Sequence, residues 1–436
     1  MENNNLQLRQ FTKYVSLNIL GMLGVSCYIL ADTFFIAAGM GTLGLAALNI
    51  AIPAFSLVAS FGLMLGIGGA TRYTIYMSRG DREEGEAVFN TTVMAAAIVA
   101  VVFELAGALA CDKIVTILGA DESTFDMTYT YLRMLFLFAP FFLMNNVFMA
   151  FVRNDGDPKL AMIAQLVGSF ANIILDYVFI FPLQMGIFGA VLATCLSPMI
   201  SLSILAVHKI KGNNNFHLKK IKLSLKRLGS IASLGVPSFV TEISSGLVIM
   251  VFNIIILGIE GNVGVAAYGV VANVSIVVTA IFNGIAQGSQ PLISHSYGQG
   301  DDASMKVYMR YAIITVIAVS TTIYGLIFAF ADPIASVFNS ENSQLLQQIA
   351  VIGLRIYFGA SLFVGFNIFA AIFFSASERA MPAQIISLAR GIVLIVPMAF
   401  VLSDLLGMNG VWLTYPVTEA IVSIIAIVFI KNRREK

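Results

Sequence analysis

Charge is scarce in this chain. Its 436 residues hold 25 Lys and Arg against 24 Asp and Glu, for a net charge of +1, and charged side chains make up only 11% of the sequence. That leaves no basic footprint for a nucleic-acid backbone, so nucleic acid is excluded as a partner. Cysteine is also scarce. Cys27, Cys111 and Cys195 are odd in number, scattered and free of metal-ligand spacing, and they read as small apolar packing residues. The three histidines, His208, His217 and His295, fall at helix ends or in loops, so a membrane-embedded enzyme would lack its His-rich metal set or its nucleophile and base. The Gly-rich pieces GLMLGIGGA and GIAQGSQP follow no strand, which removes a phosphate-cradling loop. They suit close helix packing, or kinks whose freed backbone lines a cavity.

What the chain has in abundance is apolar sequence, 58% of all residues. It divides into about twelve segments of roughly the 20 residues a helix needs to cross a bilayer. The expected spans are 14–38, 43–72, 87–110, 129–152, 160–182, 187–208, 232–258, 262–290, 309–331, 350–375, 383–403 and 409–430. The first run is interrupted by Asn18 and Asp32 and has no small-residue cleavage site, so it reads as a retained helix rather than a signal peptide.

Basic residues recur on one side of these spans. Arg9, Lys13, Arg79, Arg82, Arg153, Lys159, Lys306, Arg310, Arg379, Lys431, Arg433, Arg434 and Lys436 join the longest loop, which holds Lys209, Lys211, Lys219, Lys220, Lys222, Lys226 and Arg227. The other side has Lys113, Arg133 and Arg355 and is acidic at Asp121, Glu122, Asp126, Glu260 and Glu341. The positive-inside rule then places both termini in the cytoplasm, in a multi-pass protein of the plasma (inner) membrane.

The chain also repeats itself. The 39 residues from Leu43, LGLAALNIAIPAFSLVASFGLMLGIGGATRYTIYMSRGD, lie over VGVAAYGVVANVSIVVTAIFNGIAQGSQPLISHSYGQGD from Val263 without a gap, so that Gly44, Gly68, Gly80 and Asp81 meet Gly264, Gly288, Gly300 and Asp301. An even number of helices per repeat gives two halves of like orientation, related by a pseudo-twofold along the membrane normal. The expected fold is an all-α membrane protein in two six-helix lobes. Residues 1–208 form the first lobe, 209–231 a basic linker and 232–436 the second lobe. The linker is either an amphipathic helix on anionic lipid or a solvated loop.

Asn172 and Asp176 stand one helical turn apart in a run that otherwise belongs in hydrocarbon. An ionised Asp there costs about 2.5–3.5 kcal/mol, which makes it a functional-site candidate. Counting about 1.5 Å per residue from the outer ends puts Asp32, Asp176 and Thr194 at one depth, with Asn172 a turn deeper. Two carboxylates, an amide and a hydroxyl suit Na+, a hard cation, or a proton held between like charges. The alternative is a pair of neutral acids bridging helices. In the second half, Arg390 and Glu419 are expected as a structural ion pair, or Arg390 with Glu242, which also stands as a second substrate or proton group. Met144, Phe148, Met250 and Phe282 are candidates for an adaptable interior that would bind varied apolar cations, though ordinary membrane packing uses the same residues.

ILADTFFIAAGMGTLGLAALNIAIP, GIGGATRYTIYMSRGD, ANIILDYVFIF with GIFGAVLAT, and GIAQGSQPLISHSYGQGD together resemble the multidrug and toxic compound extrusion (MATE) family over nearly the whole chain. The resemblance implies a central cleft alternating between the membrane faces. It implies export of cationic amphipathic small molecules against inward Na+ or H+, with no cofactor and no catalytic residue, by a protein expected to work as a monomer in the lipid bilayer. The family's first-lobe cation site falls on Asp32, Asn172, Asp176 and Thr194. Some branches also carry acidic residues on the seventh and tenth helices; Glu242 stands for the first of these, but the span 351–375 has no carboxylate, which argues against a second-lobe cation site. Two other classes stand beside this one: a flippase for lipid-linked precursors, which would need a basic cleft, and a membrane-embedded enzyme.

Overall fold

The computed structural model describes residues 2–212, 214–219, 222–339 and 343–432, with side chains from residue 5 onward. Lys220, Arg433, Arg434, Lys436 and Glu341 of the charge pattern lie outside the described residues. All regular structure among the described residues is helical. The first lobe contains α1 (Glu2–Ser78), α2 (Arg82–Leu109), α3 (Cys111–Ile117), α4 (Phe125–Leu137), α5 (Ala139–Asn154), α6 (Pro158–Ile180), α7 (Gly186–Leu205) and α8 (Val207–Ile210). The second contains α9 (Leu225–Gly298), α10 (Asp302–Ala329), α11 (Ala331–Phe338), α12 (Gln344–Tyr357), α13 (Ser361–Ala376), α14 (Ala380–Leu388), α15 (Ile395–Leu406) and α16 (Met408–Lys431).

At 77 and 74 residues, α1 and α9 are far longer than a bilayer is thick, and each folds back on itself at one glycine. Gly41 has φ 64° and ψ −153°, and Gly261 has φ 61° and ψ −153°. These are positions that only a residue without Cβ takes readily. They are equivalent in the sequence repeat, so the same backbone device makes the first hairpin of each lobe. The correspondence continues at Gly80 and Gly300, both at positive φ. Next to them Asp81 and Asp301 cap α2 and α10 by accepting from Glu84 N at 3.1 Å and Ser304 N at 2.9 Å. With the two hairpins counted, the lobes form the twelve-helix architecture of two like halves.

Three spans are interrupted, one of them only by a single tightened turn at Phe358–Ala360 between α12 and α13. The segment expected as one helix over 129–152 is α4 and α5, bent by 50° where Phe138 precedes Ala139 and Pro140. The span expected over 383–403 has a widened turn at Ala389–Val393 between α14 and α15. Pro397 explains it, since it has no N–H for the Val393 carbonyl and its ring crowds that turn.

The outside of the bundle is apolar, as a lipid-facing surface must be. On α6, Ile163, Val167, Phe170, Ile174 and Tyr177 are exposed while Gly168, Ser169, Asn172 and Asp176 are buried, an amphipathic helix turned inside out. Each lobe has its own apolar core, with Phe89, Phe136 and Phe151 in the first and Phe282, Phe373 and Trp412 in the second.

The lobes meet at the end of the bundle that carries the termini. The repeat partners Gly68 and Gly288 each receive the other lobe's backbone: a Cβ at Gly68 would lie 2.2 Å from the Ile231 carbonyl oxygen, and one at Gly288 2.8 Å from the Val15 Cα. Polar contacts between the lobes cluster at the same end. Gln290 bonds Thr71 at 3.0 Å and Asn154 at 2.9 Å, Gln7 bonds Ser304 at 2.7 Å, and Tyr308 bonds Gln10 at 2.9 Å. Glu378 pairs with both Arg72 and Arg79. This end is sealed.

Over its described residues 214–219 and 222–224 the linker is a non-helical, mostly exposed loop, as the solvated-loop alternative expects, but it is pinned to the first lobe at one point. Phe216 is buried among Phe89, Phe151, Tyr73 and His208. Asp155 holds the chain beside it, accepting from Tyr73 Oη at 2.6 Å and Asn215 N at 2.8 Å and pairing with His208 Nε2 at 2.9 Å. Lys219 and Arg227 reach Glu86 and Glu84 on α2.

Candidate functional site

Asp32 on α1, Asn172 and Asp176 on α6, and Thr194 on α7 form one cluster, all four buried. The helices come this close because α6 and α7 pack through small residues, with Ser197 Oγ donating to the Gly168 carbonyl at 2.8 Å. The carboxyls of Asp32 and Asp176 lie against one another. With its amide oriented to satisfy both neighbours, Asn172 donates to Asp176 Oδ2 at 3.1 Å and accepts from Thr194 N at 3.3 Å. Asp32 Oδ1 and Asp176 Oδ1 are shielded from solvent and have no hydrogen-bond partner among the described residues. Two facing acids with orphaned oxygens have the capacity to hold one positive species between them, either a proton or a cation with oxygen ligands. Tyr131 on α4 sits beside Thr194 and went unnoticed in the sequence, because a tyrosine in an apolar run looks like packing.

Between the lobes lies a cavity of about 430 Å³, within the size range of sites for drug-like molecules. The first lobe contributes Tyr28, Asn145, Met149, Arg153 and Thr194, and the second Glu242, Tyr268, Asn283, Arg390 and Glu419. Thr194 therefore belongs both to the acid cluster and to the cavity wall. Glu242 on α9 has no ion-pair partner among the described residues, and Arg390 is not its neighbour in charge. Instead Arg390 donates to Glu419 Oε1 from Nε at 3.1 Å and Nη2 at 2.7 Å. Glu419 Oε2 accepts from Asn367 Nδ2 at 2.6 Å, and Asn367 Oδ1 accepts from Ser423 at 3.0 Å. The widened turn of 389–393 carries Arg390 to this network.

Four of the residues expected in the pocket stand elsewhere. Met144 and Phe148 lie on the face of α5 packed into the first lobe's core, with Phe148 against Phe89. The cavity instead receives the stripe Phe142, Asn145, Asn146, Met149 and Arg153. Phe282 is wholly buried in the second lobe's core, and Met250 is 52% exposed on the outer surface. Arg153, counted in the sequence among interface charges, is buried and lines the cavity.

A two-lobed membrane bundle around a cavity flanked by buried acids is the architecture of a transporter. The model of the MatE family matches residues 18–178 and 237–401, and the chain belongs to that family, whose members are transporters and not enzymes. It is similar to the multidrug export protein MepA of Staphylococcus saprophyticus, 24% identical over 420 residues, or 96% of this chain and 92% of the relative. Among solved structures, an outward-facing multidrug resistance MATE family transporter superposes with a TM-score of 0.91 at 23% identity, covering 97% of this chain and 95% of the other. A MOP superfamily transporter from Pyrococcus furiosus, described as having a binding pocket of reversed polarity, also gives 0.91 at 23% identity, over 98% and 96%.

Proposed function

We propose that this protein is a secondary active multidrug exporter that moves cationic amphipathic compounds out of the cell against inward H+ or Na+. The observation that carries the reading is the contact between Asp32 and Asp176, whose orphaned oxygens sit next to a cavity shared by both lobes. In this reading Asp32, Asn172, Asp176 and Thr194 take the coupling ion, and Glu242 faces the charge of the substrate. Arg390 and Glu419 hold the second lobe's helices together. The sealed end is cytoplasmic, in keeping with the basic residues found there, and the monomer is the working unit. The multidrug export role named for the staphylococcal relative supports the same reading.

Efflux of a fluorescent organic cation from energised membrane vesicles, with Na+ and pH gradients imposed separately, tests it. One gradient should drive export, and Asp176→Asn should abolish that drive. Export indifferent to both gradients would refute the antiport reading.

A further inference from the structure

Arg153 is 5% exposed and lines the cavity near its sealed end, in the last turn of α5. Its Nη1 donates to Asn18 Oδ1 at 2.8 Å in its own lobe and to Gln287 Oε1 at 3.1 Å in the other. Both acceptors are neutral. Nε is buried with no partner, and the only hydrogen bonds seen from this guanidinium among the described residues are those of Nη1. The carboxylate two residues along the chain, Asp155, is taken up by Tyr73, His208 and Asn215. A buried guanidinium with no counter-charge is costly, and the edge formed by Nε and Nη2 is the fork that matches a carboxylate. Arg390 differs, because Glu419 neutralises it. The cavity thus holds two ionisable side chains without an ion-pair partner among the described residues, Arg153 on the first lobe and Glu242 on the second.

We propose that Arg153 is an anion subsite that takes the carboxylate of amphiphiles whose cationic group is held at Glu242, so that the cavity accepts zwitterions as well as simple cations. The proposal rests on the exporter reading, which assigns Glu242 to the substrate's positive charge. Opening the sealed end separates Arg153 from Gln287 of the other lobe, which frees a further N–H as the cavity becomes accessible from that side.

The test compares two dyes of one ring system, rhodamine B, a zwitterion with a free carboxylate, and its ethyl ester, a cation. Binding of each to the purified full-length protein is followed by fluorescence anisotropy. Arg153→Gln should weaken rhodamine B by about tenfold more than the ester, because truncating one partner of a buried charge pair acts only on the ligand that carries the carboxylate. Arg153→Lys, which keeps the charge but not the fork, should recover part of the difference. Equal losses for both dyes with a lowered melting temperature would overturn the proposal in favour of a purely structural arginine, and no loss for either would overturn it as well. If Arg153→Gln does not fold, benzoate competition against the unmodified protein decides: benzoate should displace rhodamine B and spare the ester, and displacement of both or neither overturns the subsite. Failure of the exporter reading has a different signature, namely that the unmodified protein binds neither dye.

Discussion

At the scale of single residues, the roles proposed for the acid pair and for the Arg390–Glu419 pair predict opposite phenotypes. Asp32→Asn and Asp176→Asn replace a carboxyl with a near-isosteric amide, so packing survives and gradient-driven export should fall to background in vesicle flux while melting temperature holds. Export at the unmodified rate would remove these residues from the coupling scheme. Glu419→Gln should behave in the reverse way, because it leaves the 9% exposed Arg390 without its counter-charge. Breaking a buried pair costs about 3–5 kcal/mol, which thermal melting in detergent would register directly. Glu242→Gln should weaken dications more than monocations in dye-binding titrations, since only a dication has a second charge to compensate. The acid cluster was legible in the sequence because polar residues in an apolar run are few and their depth can be counted. Arg153 was not, because a position near a helix end makes a basic residue look like one more interface charge. Met144 and Phe148 were chosen for the interior by residue type alone, and residue type does not say which face of α5 meets the cavity and which packs into the first lobe's core.

At the scale of helices, the repeat carries more information than its identities suggest. Gly41 and Gly261 lie just before the matched stretches and share φ and ψ to within a few degrees, so the two hairpins are built by one rule. The sequence placed the break between spans at these glycines, but not the fact that each hairpin is a nearly continuous helix. The docked linker was illegible because its composition is dominated by lysine, whereas its placement depends on Phe216 and on the Asp155 hub, which a composition reading weighs lightly. The glycine pair at the lobe interface yields an element-level prediction. A side chain at Gly288 meets the backbone at Val15 and Tyr14, so Gly288→Val should destabilise the sealed form by about 1–3 kcal/mol through overpacking. In a cysteine-free background carrying Thr71→Cys, labelling by a membrane-impermeant maleimide from the sealed side should rise by about fivefold or more, since the open population grows exponentially with that shift. Unchanged labelling would show that the interface relaxes around the added methyl groups.

For the whole molecule, the sealed end and the acid cluster together define what the coupling ion has to do. A ligand shifts a conformational equilibrium only by its differential affinity for the two states, so in the proposed antiport the ion must favour the form from which drug leaves. Asp32 and Asp176 stand in the half of the first lobe away from the sealed end, where an ion arriving from the open side is met first. Pro53 in α1 gives that lobe a place to bend once the pair is neutralised. The ion gains about 2.3 kcal/mol per charge per 100 mV if its route crosses the full membrane field. Ion and drug should therefore compete through the shape of the lobe without sharing every ligand. Equilibrium binding of a fluorescent cation to the detergent-solubilised protein should weaken about 5–150-fold as Na+ is added or as pH is lowered, the usual span of coupling energies between sites. By reciprocity the drug should weaken the ion by the same factor. Both dependences should vanish in Asp176→Asn, where the pair no longer offers two carboxyls to one positive species. Drug affinity indifferent to both ions in the unmodified protein would refute the coupling scheme while leaving the two-lobed fold untouched.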